Sequence, residues 1–282
     1  MRVIFCFLFC LNLNIKAQPT SSLLWEISGN GLQAPSYLFG SFHLMCANDF
    51  QFHDIIKEKI NRTKQFYAEV DLWAPNLQQE MMSLMQLSGT NLEKLIGEKE
   101  FSRVDSLFKQ ITGIPLKAIN PFKPFMASSI LTLKSMNCAD QVQPETKLME
   151  YAKALNSPIK GLETIRDQMN AIDTQPLDSQ VAALKQTIIQ FDSVKHMMQT
   201  LINLYNKKNP DSLYRFIKEN SRSDNFETEL LIKRNKNWIP VITKAIKAMP
   251  SFFVVGAGHL GGETGVIALL RKEGYIVKPI AY

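Results

Sequence analysis

The chain has 282 residues, of which 45% are hydrophobic, 21% charged and 10% aromatic, with 13 Gly and 13 Pro. These proportions are those of an ordinary globular protein, and they exclude a disordered chain, a collagen and a coiled coil. The 32 basic and 26 acidic residues give a net charge of +6, an excess too small and too scattered to indicate a nucleic-acid-binding surface.

The N-terminal segment has the pattern of a secretory signal peptide. An early positive charge at Arg2 is followed by an apolar run over residues 3–13 and by a small residue at Ala17. The apolar run is far shorter than the about 20 residues that cross a bilayer, so a membrane anchor is the weaker alternative. We therefore predict export to the periplasm or beyond, removal of residues 1–17, one domain over residues 18–282, and no transmembrane segment in the mature chain.

Two cysteines, Cys46 and Cys138, remain after the predicted signal peptide. In an oxidising compartment an even pair favours one disulfide bond over the alternative of two separate buried thiols.

Short apolar runs predict six strands, and helical periodicity fills most of the chain between them. The predicted strands cover residues 23–27, 37–39, 66–71, 158–162, 252–255 and 275–280. The predicted helices run from a cap at Asn48 or Asp49 to Arg62, and over residues 77–87, 98–110, 124–136, 145–155, 177–206, 211–220, 226–249 and 263–273, with a kink or restart at Pro240.

Both ends of the chain must contribute strands to one sheet, because neither half holds enough strands to cover its own helices. We therefore predict an α/β fold: a single domain with a mixed central sheet and large helical insertions.

Two of the predicted strands run into the same Gly-x-x-His pattern, at residues 40–43 and 256–259. We expect each glycine to allow a sharp turn with a positive φ. His43 and His259 should then project beyond the edge of the sheet, where ligands bind in open α/β folds.

Two carboxylates accompany these histidines. Glu69 lies within the third predicted strand, and Glu163 follows the fourth. A carboxylate in an apolar strand must be paired or must bind a ligand, because burying it alone costs several kcal/mol. Two imidazoles and two carboxylates at strand ends suit a divalent metal site or an acid/base pair. The alternatives are a buried ion pair between Glu69 and Arg234, and a Glu163 that caps the helix after Thr164.

Together these stretches resemble the TraB/PrgY/GumN family, which includes the Tiki metalloproteases. The resemblance extends from about residue 23 to the C-terminus and is carried by Leu-Phe-Gly-Ser-Phe-His at 38–43, Ala-Glu-Val-Asp-Leu at 68–72, Gly-Leu-Glu-Thr at 161–164, Leu-Ile-Lys-Arg-Asn at 231–235 and Phe-Val-Val-Gly-Ala-Gly-His-Leu at 253–260. It implies a fold similar to erythromycin esterase and the ChaN-like haem-binding lipoproteins, with the functional groups at one edge of the sheet. The Tiki branch further implies a peptidase that depends on a divalent metal, and it places the essential groups on His43, His259 and Glu69.

We accordingly assign His43, His259 and Glu69 as ligands of a divalent metal, which is manganese, cobalt or zinc. Glu163 is the general base or a fourth ligand. Three further residues are assigned to the site: Arg234 and Asn235 as binders of a substrate carboxylate or an oxyanion, and Ser41 as a hydrogen-bonding group.

The predicted function is hydrolysis of a peptide or protein substrate, without a nucleic-acid partner. Two alternatives stay open at this point. One is a non-catalytic protein that sequesters a peptide or haem. The other is a metal-free esterase in which His43 or His259 acts as the base with Glu69 or Glu163.

Overall fold

A computed structural model describes residues 21–221, 225 and 227–282. The predicted signal peptide lies outside the described residues, and its removal stays a prediction. No helix in the described part of the chain is long and apolar enough to span a membrane.

Six strands form the central sheet, and two short strands form a separate ribbon. In chain order the strands are Leu24–Ser28 (β1), Ser36–Ser41 (β2), Met45–Cys46 (β3), Gln65–Ala68 (β4), Gln141–Val142 (β5), Ile159–Gly161 (β6), Ser251–Gly256 (β7) and Ile276–Ile280 (β8). The sheet order is β6-β4-β7-β2-β1-β8, and β3 pairs with β5. The strands β6, β4, β7 and β2 are mutually parallel, whereas β1 is antiparallel to both β2 and β8. The predicted α/β fold with a mixed central sheet is therefore confirmed.

Helices account for most of the remaining chain. Their bounds are Asp54–Asn61 (α1), Leu77–Met85 (α2), Leu92–Ile96 (α3), Glu98–Thr112 (α4), Pro124–Lys134 (α5), Pro144–Ala154 (α6), Ile165–Asp173 (α7), Leu177–Ile189 (α8), Phe191–Asn206 (α9), Pro210–Asn220 (α10), Lys233–Ala248 (α11) and Val266–Lys272 (α12).

The sheet buries apolar side chains on both faces, as the two-residue alternation of its strands requires. One face carries Leu38, Tyr67, Phe253 and Val255 and packs against α11 and α12 through Trp238, Ile242, Val266 and Leu270. The opposite face carries Phe39, Phe66, Phe252 and Val254 and packs against α1, α6 and α10 through Ile56, Ile60, Leu148, Met149 and Leu213. The sheet is thus the middle layer of three.

A separate helical layer lies beside the sheet and contributes no strand to it. Its core is formed by α3, α4, α5 and α8, with Leu92, Phe101, Phe108, Leu131 and Leu184 among the buried side chains. The layer is thus built from two separate stretches of the chain, residues 92–134 and 177–189.

Several predicted boundaries were wrong. The strand expected over 66–71 ends at Ala68, and the chain turns shortly after it, where Asp71 Oδ1 accepts a hydrogen bond from the Trp73 N–H at 3.0 Å. The helix expected over 177–206 breaks at Gln190, since α8 packs into the helical layer while α9 packs toward the sheet.

The helix expected over 226–249 starts later than predicted. A π-helical turn, Glu227–Ile232, precedes α11, and Pro240 lies inside that helix without restarting it. Pro240 lies on the exposed side of α11. The first predicted helix begins only at Asp54.

The predicted disulfide between Cys46 and Cys138 is present. It ties β3 to the segment before β5 across a sequence separation of 92 residues. Leu44, Met136 and Ile202 form a small apolar cluster around it.

Candidate active site

Four parallel strands place the candidate residues at one edge of the sheet. Ser41 ends β2 and His43 follows it by two residues, whereas Glu69 follows β4 directly. Glu163 lies two residues after β6, and His259 lies three residues after β7. Because parallel strands end at the same edge, residues far apart in sequence come together there.

The glycines of the two Gly-x-x-His motifs are required by close packing. The prediction of a positive φ was wrong, since neither Gly40 nor Gly256 has one. A Cβ atom at Gly40 would lie 2.5 Å from Leu260 Cδ1. A Cβ atom at Gly256 would lie 3.0 Å from His43 Nε2 and 3.4 Å from Glu69 Oε1. The Gly256 backbone therefore packs directly against the His43 ring and the Glu69 carboxylate.

Glu69 is the buried centre of the cluster. Its Oε1 accepts the Gly256 N–H at 2.8 Å, and its Oε2 accepts Arg234 Nη2 at 2.6 Å and Gln168 Nε2 at 3.2 Å. Burial by itself raises the pKa of this carboxyl, but His259, Arg234 and the Gly256 amide lower it by more, so the pKa lies below its usual range. Glu69 is therefore ionised at neutral pH.

Arg234 uses all five of its N–H groups inside the cluster. Its Nε donates to both oxygens of Glu163 at 3.0 and 3.2 Å, and its Nη2 donates to Glu69 and to Glu163 at 2.6 Å each. Its Nη1 donates to the Leu230 carbonyl at 3.0 Å and to His259 Nε2 at 3.2 Å. The side chain is only 10% exposed. The expectation that Arg234 binds a substrate carboxylate or an oxyanion therefore finds no free donor, and the alternative of an ion pair with Glu69 is confirmed.

Glu163 binds Arg234, and two further hydrogen bonds fix its position. Trp238 Nε1 donates to its Oε2 at 3.0 Å, and its backbone N–H donates to the Glu69 carbonyl at 3.0 Å. Burial raises the pKa of this carboxyl above its ordinary value, although Arg234 opposes the rise. Its side chain does not cap α7, because Asp167 forms the capping box with Thr164.

His259 is buried and its tautomer is set by Asn235. The Asn235 amide donates to the Thr264 carbonyl at 2.9 Å, so Asn235 Oδ1 faces His259 Nδ1 at 2.7 Å and accepts a hydrogen bond from the Nδ1–H group. The lone pair of the ring is therefore on Nε2, beside Arg234 Nη1 and 3.8 Å from Glu69 Oε1. Burial lowers the pKa of His259 to about 3, in agreement with a neutral ring.

His43 is the exposed imidazole of the cluster, with 69% of its side chain accessible. Its Nδ1 lies 2.7 Å from Glu145 Oε1, which also accepts the Ser41 hydroxyl at 2.5 Å. Glu145 raises the pKa of His43, an effect that solvent weakens at so exposed a side chain. Ser41 itself is buried, and it also lies 3.2 Å from the Val255 carbonyl oxygen.

Sequence reasoning missed two residues of the cluster. Glu145 follows Pro144 in the first turn of α6, where an acidic residue is common at any helix start. Gln168 lies on α7, four residues after the helix N-cap, and its amide bridges Glu69 and Glu163. Neither position carries a spacing signal, because each reaches the cluster only through the packing of its helix.

The sequence profile of the TraB/PrgY/gumN family matches residues 23–279. The chain belongs to this family. It is also similar to Metalloprotease TIKI1 of Homo sapiens, with 23% identity over 95% of this chain and 64% of that protein. The corresponding figures are 21%, 94% and 64% for Metalloprotease TIKI1 of Danio rerio, and 21%, 94% and 62% for Metalloprotease TIKI2 of Danio rerio. This family member thus spans less than two thirds of the length of these relatives, and no solved structure matches it.

The metalloprotease relatives raise the question of whether this cluster fits a metal. Among the described residues, no group of three or more His, Cys, Asp or Glu side chains has the arrangement of a metal site. The donor chemistry nevertheless suits a divalent ion, because two imidazoles hold their Nδ1 atoms on acceptors and direct Nε2 toward the side of the cluster where Glu69 Oε1 lies. Arg234 Nη1 occupies the lone pair of His259 Nε2, so an ion at this nitrogen competes with that hydrogen bond.

Proposed function

We propose that this family member is an exported, metal-dependent hydrolase that acts on peptides or proteins. The observation that carries the proposal is the convergence of two oriented imidazoles on one buried, ionised carboxylate, Glu69, at the strand ends of an α/β sheet. Similarity to the TIKI metalloproteases over most of the chain supports the reaction class. The pattern of residues 1–17 and the Cys46–Cys138 disulfide support export.

The residues that would hold the metal are His43 through Nε2, His259 through Nε2 and Glu69 through Oε1. A bound divalent ion supplies polarisation of the scissile carbonyl and a water of lowered pKa. Hydrogen bonds from ligands to a second layer of residues fix the ligands of such sites. Here that second layer consists of Glu145 at His43, Asn235 at His259 and the Gly256 amide at Glu69.

We assign Arg234 and Glu163 a different role from the one expected. The guanidinium neutralises two neighbouring carboxylates and holds Glu69 at its Oε2, which leaves Oε1 directed toward the imidazoles. Glu163 binds Arg234 and Trp238 with both oxygens, so we assign it to positioning Arg234 in place of general base. Ser41 orients Glu145, and Asn235 sets the tautomer of His259.

A metal-independent hydrolase is the second candidate, and one observation favours it. The hydrogen bond from Arg234 Nη1 to His259 Nε2 gives the buried imidazole a partner without any ion. In that case His43, which faces solvent, would be the base or acid.

The test uses the full chain, purified and incubated with a mixture of unrelated peptides, with Mn²⁺, Co²⁺ or Zn²⁺ added separately. We expect mass spectrometry to detect peptide fragments with at least one ion and none with excess chelator. His259→Ala and Glu69→Gln should lower cleavage at least about a hundredfold. His196→Ala, which removes an exposed imidazole on α9, is the matched control and should retain cleavage.

Three results would contradict the proposal in different ways. Chelator-resistant cleavage that both site variants lose would establish the metal-independent hydrolase. Stoichiometric capture of a peptide without fragments would establish a sequestering protein. Equal cleavage by all variants would remove the cluster from the reaction.

A further inference from the structure

Glu145 is a largely buried carboxylate that joins two residues of the candidate site. Its Oε1 accepts hydrogen bonds from Ser41 Oγ at 2.5 Å and from His43 Nδ1 at 2.7 Å, and its side chain is only 13% exposed.

The helix that carries Glu145 is firmly placed. Leu148, Met149 and Ala152 of α6 are fully buried against the face of the sheet that includes Phe66. Pro144, in the first turn, has the backbone angle that starts a helix. The Glu145 carboxylate is therefore held by a packed element, independently of the loop that it contacts.

His43 has the opposite situation. It lies in the loop between β2 and β3, and most of its side chain is exposed to solvent. An exposed imidazole samples several rotamers unless a hydrogen bond selects one. The hydrogen bond to Glu145 selects a rotamer that packs the ring against Gly256. In this rotamer His43 Nε2 and Cε1 lie 3.0 and 3.3 Å from the point where a Cβ atom on residue 256 would be.

We propose that Glu145 is the positioning residue of His43: it holds the ring by Nδ1 so that Nε2 faces the Glu69 side of the cluster. The inference rests on the proposed function, because the oriented Nε2 is useful only if it binds a metal. The orientation of the ring itself does not require a metal. Glu145 binds Nδ1 of the ring and not the Nε2 that would bind the ion, so it acts through His43.

The first readout is made on the metal-free full chain labelled at histidine and glycine. We expect a nuclear Overhauser contact between His43 Hε1 and the Gly256 α-protons in the wild type. Glu145→Ala should lose this contact. Glu145→Gln should retain it, because the glutamine carbonyl can still accept a hydrogen bond from Nδ1. Glu150→Gln, which removes an exposed carboxylate from the same helix, is the matched control and should leave the contact unchanged.

The second readout is the affinity for Mn²⁺ alone, measured by titration calorimetry on the same proteins. Loss of a residue that orients a metal ligand typically weakens metal affinity by about 10- to 100-fold. We expect a loss in this range for Glu145→Ala, a smaller one for Glu145→Gln and none for Glu150→Gln.

The two readouts separate failure of this inference from failure of the proposed function. If Glu145→Ala keeps the His43–Gly256 contact, Glu145 does not position the ring and the inference is overturned. If the contact is lost but the wild type binds no Mn²⁺, the positioning role is supported while the metal site is not. If Glu145→Ala fails to fold, Glu145→Asp replaces it, because its carboxylate is set back by one methylene. We expect Glu145→Asp to lose the His43–Gly256 contact. A Glu145→Asp variant that keeps this contact would overturn the inference.

Discussion

A single guanidinium, that of Arg234, compensates two buried carboxylates at the site. Glu69 and Glu163 both depend on it, and neither is exposed enough for water to replace it. We expect Arg234→Met to lower the free energy of unfolding by about 3–5 kcal/mol, because it leaves buried charge without a partner. Urea unfolding followed by circular dichroism measures this loss.

The control for this prediction is an arginine in an exposed ion pair. Arg166 binds Glu80 at 2.9 Å on the surface, where such a pair contributes about 0–1 kcal/mol. Arg166→Met should therefore shift the transition only slightly. Equal losses in both variants would show that the buried network does not stabilise the fold.

The two motif glycines should respond differently to a methyl group. In Gly40→Ala the new Cβ meets Leu260 and lies 3.1 Å from the backbone Cα of Ala257, which cannot move aside. We expect a loss of about 1–3 kcal/mol in the free energy of unfolding, the usual cost of overpacking a core. In Gly256→Ala the Cβ meets the exposed His43 ring, which can rotate away, so the loss should be smaller. Thermal unfolding of both variants tests this order, and the reverse order would contradict it.

At the scale of residues, the motifs of the sequence predicted which side chains would lie together at the strand ends. His43, His259 and Glu163 were predictable because each follows a recognisable apolar run, and Glu69 because it is a carboxylate within such a run. Glu145 was not, since an acidic residue in the first turn of a helix has an ordinary structural explanation.

At the scale of elements, the ribbon of β3 and β5 depends on the disulfide. Each strand has only two residues, and an isolated pair of strands this short is marginal in water. The bond between Cys46 and Cys138 closes a long loop and thus restricts the unfolded chain.

Replacing both cysteines by serine should therefore lower the free energy of unfolding by about 3–5 kcal/mol. Urea unfolding with and without reductant measures the effect. The wild type should lose stability when reduced, whereas the serine variant should be insensitive to reductant. A change below about 1 kcal/mol would show that the ribbon is held by its apolar cluster alone.

Most elements were predictable from periodicity, and the exceptions share a cause. The six sheet strands and the long amphipathic helices follow from their apolar spacing. The break at Gln190 and the early end of β4 do not follow from apolar spacing. At Gln190 the chain passes from the helical layer to the core beside the sheet, and after β4 it turns away from the sheet. Local spacing contains no information about which core a helix will join.

At the scale of the whole molecule, the helical layer of α3, α4, α5 and α8 has its own core. No strand residue belongs to that cluster among the residues that the structure describes. The central strands β2 and β7 are instead buried between two helical layers. Regions that contribute little to the main core tend to open at lower free energy than the core strands.

We therefore expect amide hydrogens of α4 and α5 to exchange with deuterium before those of β2 and β7. Hydrogen exchange followed by mass spectrometry of peptides measures the order. Peptides covering Glu98–Thr112 and Ser251–Gly256 are the informative pair. Simultaneous exchange of both in a single step would indicate one cooperative unit in place of two.

The sequence by itself determined the fold class, the family and the strand ends at which polar groups collect, because apolar periodicity and short motifs are local properties of the chain. Only the tertiary structure decided which of those groups contact each other and which protonation state and hydrogen-bond partners each group has. Arg234 forms ion pairs with two carboxylates, His259 is neutral and buried, and Glu145 contacts the site from a helix that is distant in sequence. These outcomes depend on burial and on distances between side chains, which arise only when the parallel strands and the helices that cover them pack together.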